Sequence, residues 1–84
     1  MKHMYKPSGV CSNQIELDIE DGIVRDVIFR GGCSGNLQGI AELAKGQKIE
    51  DVKSRLKGIN CGGKGTSCPD QLSKAIDEAM AKAV

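Results

Sequence analysis

The sequence predicts an α+β domain: a small antiparallel sheet of two to three strands followed by three helices packed on it. Apolar and polar residues alternate up to Glu20, and an Asp-Gly pair then reverses the chain into a second apolar run. After Gly31 the apolar spacing lengthens to that of a helix. Strands come first and helices afterwards, the order of an α+β sandwich.

Tyr5 to Val10 reads as a short first strand, which Pro7 places at an edge because proline donates no ladder hydrogen bond. Ile15, Leu17 and Ile19 alternate with Gln14, Glu16, Asp18 and Glu20, giving a half-buried strand with an acidic wet face. Asp21-Gly22 is a hairpin turn signal. Ile23 to Arg30 returns as a strand with Ile23, Val27 and Phe29 toward the core. Val24 and Ile28 share its other face, which is therefore expected to be partly covered.

Leu37, Ile40, Ala41 and Ala44 form one helical stripe with Leu43 beside it, and Gly46 supplies the stop. A second short helix turns Ile49, Val52 and Leu56 inward and Glu50, Asp51, Lys53 and Arg55 outward, and ends at Gly58. The last helix starts near Pro69, whose fixed φ suits a first turn, and Asp70 complements the positive helix end. Its apolar stripe is Leu72, Ile76, Ala79, Met80 and Ala83.

Residues 1–84 make a single domain, and a chain of this size buries only about 60–65% of its extended surface. With Phe29 and Tyr5 the only aromatics, the core is aliphatic and marginal, so a metal, a disulfide or a partner is expected to add stability. The net charge of +1 is spread without a basic run or an aromatic platform, which argues against nucleic-acid binding. No apolar run approaches the roughly 18 residues of a membrane span. Met1 to Lys6 lacks the apolar segment of a signal peptide, so a cytoplasmic location with reduced thiols is expected. In a secreted chain the even cysteine count would point to disulfides instead.

Cys11, Cys33, Cys61 and Cys68 carry the chemistry. All four fall at element boundaries among glycines or small polar residues, where loops gather at one end of a sandwich. Packing cysteines would sit inside elements on apolar stripes. Four thiolates suit zinc, iron or an iron–sulfur cluster. The spacing contains no C-x2-C knuckle, so the pattern is not that of a zinc ribbon. The rival reading is thiol redox work, with Cys61 and Cys68 as the pair.

Cys68 can act as N-cap of the last helix, whose positive end favours a thiolate; alternatively Thr66 or Ser67 is the cap and Cys68 merely fits there. Gly62-Gly63-Lys64-Gly65-Thr66-Ser67 has glycines suited to an anion, but the lysine stands too early and a helix precedes the loop. Glycines that let backbone wrap sulfur ligands explain it better. His3, the one histidine, is expected to be solvated, so no Ser/His/Asp or Cys/His catalytic arrangement can be assembled. Asp70 is expected to act on the helix dipole rather than on a metal.

Thr66-Ser67-Cys68-Pro69-Asp70 spells TSCPD. With Tyr5-Lys6-Pro7, Gly9-Val10-Cys11, Phe29 to Cys33, Gly35 to Ile40 and Cys61-Gly62, it makes the chain resemble the small, stand-alone, four-cysteine branch of the TSCPD-domain proteins. The resemblance covers nearly the whole chain. It implies a bacterial protein with suspected metal binding at Cys11, Cys33, Cys61 and Cys68. Larger relatives carry a similar module at the C-terminus of cobalamin-dependent ribonucleotide reductases, which implies a thiol-redox or accessory role beside a reductase or other redox protein. Reductase activity would require other chains. The order of strands, Gly-Cys loop and helices also resembles, more weakly, the U-type iron–sulfur scaffold proteins, which implies cluster assembly or carriage.

Overall fold

The computed structural model describes residues 1–10, 12–31, 34–59 and 65–82. The chain runs β1 (Lys2–Tyr5), β2 (Ser12–Glu20), β3 (Ile23–Gly31), α1 (Ser34–Ala44), α2 (Ile49–Leu56) and α3 (Cys68–Lys82). The strands form one antiparallel sheet in the order β1-β2-β3, so the expected α+β arrangement of sheet followed by helices is present. α3 packs across β1 and β2, α1 packs on β3, and α2 packs on α3.

β1 is the expected edge strand but lies earlier in the chain. Its pairing runs from Lys2 opposite Asp18 to Tyr5 opposite Ile15, and Pro7 falls beyond it. The residue before a proline is restricted and proline donates nothing, so pairing stops ahead of it. The β2–β3 hairpin turns through Asp21 (φ 53°) and Gly22 (φ 73°), a two-residue turn with both central residues left-handed.

Two irregularities set which side chains face the core. Asp18 pairs with Asp26, but the next residue, Ile19, pairs with Val24, so Arg25 is an extra residue in β3. One extra residue reverses the parity of everything beyond it. Val24 is therefore fully buried on the same side as Val27, against the expectation that it faced outward. The outer face is left to Met4, Glu16 and Ile28, neighbours across the three strands. Met4 and Ile28 stay exposed, so this face is open where partial cover was expected.

The second irregularity lies at the start of β2. Ser12 pairs with Gly31 and Gln14 with Arg30, which makes Asn13 the extra residue. Ser12 is consequently turned inward and buried along with Ile15. Gly31 has φ 79°, and a Cβ there would stand 2.8 Å from Asn13 Nδ2, so a side chain would be both strained and crowded at this bulge.

The core joins Ile15, Leu17 and Ile19 to Leu72, Ala75, Ile76 and Ala79, with Ile49 and Val52 of α2 and Ala41 and Ala44 of α1 at its borders. Burying one large aliphatic side chain contributes about 1.5–3 kcal/mol. The hairpin end is tied to the α1–α2 connection by three backbone hydrogen bonds. Gly46 N–H donates to Val24 O at 2.7 Å, Val24 N–H to Gln47 O at 2.9 Å, and Ile49 N–H to Gly22 O at 3.0 Å. α2 carries Glu50 and Asp51 in its first turn and Lys53 and Arg55 in its last, matching its dipole at both ends.

Candidate functional site

Of the four predicted thiols, Cys68 is described: it is the first residue of α3 and is buried. Cys11, Cys33 and Cys61 lie outside the described residues, as do Gly62, Gly63 and Lys64 of the glycine loop. Among the described residues no group of three or more His, Cys, Asp or Glu side chains is arranged to hold a metal ion.

The start of α3 is fastened by hydrogen bonds from its own sequence. Ser67 is the N-cap: its Oγ accepts from Asp70 N–H at 3.2 Å, and its carbonyl accepts the first helical bond from Gln71 N–H at 2.8 Å. Of the alternatives for the cap, the serine holds the position. Its oxygen can accept at the distance a cap requires, while sulfur is a weak acceptor. Cys68 follows as the first helical residue, and Pro69, which has no N–H, falls where none is needed. The Ser67 hydroxyl also donates to Ile59 O at 2.6 Å, which binds the helix start to the segment leaving α2.

Asp70 does more than complement a dipole. It is buried, and its carboxylate accepts from Gly58 N–H at 2.7 Å and from Thr66 Oγ1 at 2.6 Å. These contacts hold the carboxyl below the ordinary aspartate range, the Thr66 hydroxyl contributing most and the Gly58 N–H next, against the opposing effect of burial. Lys74 and Lys57 assist by charge.

Gln71, 2% exposed, extends the network to the other end of the chain. Its Oε1 accepts from Tyr5 Oη–H at 3.1 Å and from Ser8 N–H at 3.3 Å, and its Nε2 donates to Thr66 Oγ1 at 2.9 Å. Tyr5 titrates above the usual phenol range because burial, and then the charges of Glu78 and Asp70, disfavour the phenolate. Among the described residues no buried side-chain nitrogen or oxygen lacks a partner.

Ser12 closes the corner from the sheet side. Turned inward by the Asn13 bulge, its Oγ lies 3.2 Å from Cys68 Sγ. The segment ahead of β2 also approaches α3 closely: a Cβ on Gly9 would stand 3.2 Å from Thr66 Cγ2. Neither Ser12 nor Gln71 was singled out by the sequence. Strict alternation from Ile15 puts Ser12 on the wet face, and Gln71 sits just off the apolar stripe. The one available signal was that each adjoins a motif, Ser12 next to Cys11 and Gln71 next to TSCPD.

His3 departs from expectation. It lies in β1 with only 11% of its side chain exposed, and its Nε2 is 2.6 Å from Glu78 Oε2 on α3. Pairing of β1 with β2 carries the histidine onto the core side and beneath the last helix, which replaces the expected solvated terminus.

Among the described residues no helix is long and apolar enough to cross a membrane. No curated protein and no solved structure matches the chain. The model of the TSCPD domain matches residues 2–80, a span that includes every described element but the end of α3. The protein therefore belongs to the TSCPD-domain family.

Proposed function

We propose that Cys11, Cys33, Cys61 and Cys68 bind one metal ion, zinc or iron, and that this ion stabilises the domain. The observation that carries the reading is the meeting of the residues flanking all four cysteines. Ser12, next to Cys11, pairs with Gly31 and touches the sulfur of Cys68. Gly31 is two residues from Cys33. Ile59, two residues from Cys61, accepts the hydrogen bond of Ser67, next to Cys68. In the sequence, Cys11 adjoins Ser12, and Cys33 and Cys61 each follow one of these residues by two positions.

The donor set fits the group. Soft thiolates bind zinc and iron well, and a buried helix start with a neighbouring hydroxyl offers a thiolate hydrogen-bonding partners. A small aliphatic core gains from the added free energy, because metal binding to a folded site is also folding free energy. An iron–sulfur cluster uses the same ligands and would give a brown protein with visible absorption after anaerobic reconstitution. Thiol exchange between Cys61 and Cys68 is less well served, since Cys68 is 9% exposed and exchange requires an accessible sulfur.

The test is anaerobic purification without added metal, followed by elemental analysis and an ultraviolet–visible spectrum. About one equivalent of zinc or iron per chain is expected, with at least a several-fold loss of affinity in Cys68→Ser. Less than about a tenth of an equivalent in the wild-type protein, before and after reconstitution, would refute the reading.

A further inference from the structure

We infer that Ser12 is a positioning residue of this site: its hydroxyl donates a hydrogen bond to the Cys68 sulfur and orients that sulfur as a metal ligand. The inference rests on the metal-site reading above and goes beyond it by assigning a role to a residue outside the cysteine set.

The geometry of Ser12 is specific. It is 3% exposed, so bulk water does not compete for its hydroxyl, and that hydroxyl lies 3.2 Å from Cys68 Sγ. It faces inward only because Asn13 is an extra residue in β2. The bulge is in turn accommodated by Gly31, whose replacement by any larger residue would crowd Asn13. The sulfur is equally fixed, because the Ser67 cap and the Asp70 contacts set the first turn of α3. A serine hydroxyl is a good donor and a thiol a poor acceptor, whereas a thiolate accepts a charge-assisted bond. Such outer partners orient a metal ligand and adjust its electron donation.

The test compares wild type, Ser12→Ala and Ser12→Thr under anaerobic conditions. Zinc affinity is read by competition with a chromophoric chelator, and the thiolate-to-metal charge-transfer band is read after loading with cobalt(II). Ser12→Ala is expected to keep the wild-type stoichiometry, to bind zinc about ten- to a hundredfold more weakly, and to move the cobalt band to lower energy. Lost hydrogen bonding raises the energy of the sulfur lone pair, which a purely structural serine would not affect. Ser12→Thr keeps the hydroxyl and is expected to return both readouts toward wild type. Ser12→Ala matching wild type in affinity and band position, or Ser12→Thr as defective as Ser12→Ala, would overturn the assignment while the metal site stands. Wild-type protein that takes up neither zinc nor cobalt would overturn the metal-site reading, and the Ser12 assignment with it.

Discussion

Replacing Asp70 by asparagine tests whether the signature residues around Cys68 hold the helix start in place. The carboxylate accepts from Gly58 N–H at 2.7 Å and Thr66 Oγ1 at 2.6 Å. Hydrogen bonds to a charged group contribute about 1.5–3 kcal/mol each, and a carboxylate in a first helical turn adds about 0.3–1 kcal/mol. Asparagine retains one acceptor and loses the charge, so Asp70→Asn is expected to cost about 2–3 kcal/mol. At about 4–8 °C per kcal/mol for a domain of this size, the melting temperature falls by roughly 10–20 °C. Urea unfolding of wild type and variant at pH 7 and equal metal content reads the difference. A second arm uses pH. The folded-state carboxyl titrates below its unfolded value near 4, so its contribution is fully present above about pH 4 and is lost as the pH falls through the lower folded value. Both proteins carry the same thiols, so acid release of any metal they bind would be common to them and the gap between them isolates Asp70. A gap under about 0.5 kcal/mol at pH 7, or one that fails to narrow below about pH 4, would refute the reasoning.

Gln71→Leu removes the acceptor of Tyr5 and Ser8 and the donor to Thr66. A loss of about 2–3 kcal/mol in urea unfolding is expected, because buried partners are left unpaired. The Arg25 bulge is tested by paired substitutions on its two sides. Val24→Ala is expected to cost about 1.5–3 kcal/mol and Ile28→Ala about 0.5 kcal/mol; equal losses would mean that the two residues share a face. His3→Ala removes the contact with Glu78 and is expected to cost about 1 kcal/mol, with faster amide exchange in β1 than in β2.

The elements were readable where one period ran without interruption. Ile15, Leu17 and Ile19 and most of the α3 stripe declared a face, and the structure buries Leu72, Ile76 and Ala79 while leaving Met80 exposed; Ala83 lies outside the described residues. The α2 pattern of Ile49, Val52 and Leu56 against Glu50, Asp51, Lys53 and Arg55 was equally plain, though Lys53 is half-buried. The misread strand face has a physical cause. A bulge is a single extra residue with no strong composition of its own, so Arg25 and Asn13 look like ordinary strand residues while reversing the parity of Val24 and Ser12. His3 was misread because burial in an edge strand depends on what packs over it, and α3 lies some seventy positions away in sequence. The cysteines stood out in the sequence as candidates, but the polar residues that hold Cys68 did not: serine, threonine and glutamine near a helix start are ordinary capping and surface residues until their partners are known.

Those partners bear on why the family signature has the residues it has. Capping a helix needs one side-chain acceptor at the N-cap, which the Ser67–Asp70 contact supplies. The remaining bonds of the signature are not needed for that purpose. Ser67 also reaches Ile59, and Asp70 also reaches Gly58, two and three residues ahead of Cys61. Thr66 joins Asp70 to Gln71, and Gln71 holds Ser8, three residues ahead of Cys11. The bonds that exceed the needs of the helix thus run to the segments that lead into two other cysteines. A set of residues serving helix stability alone would have no reason to choose those partners. On the metal-site reading proposed above, residues that bring separate chain segments to one sulfur would use such cross-links, as preorganised ligand sites do.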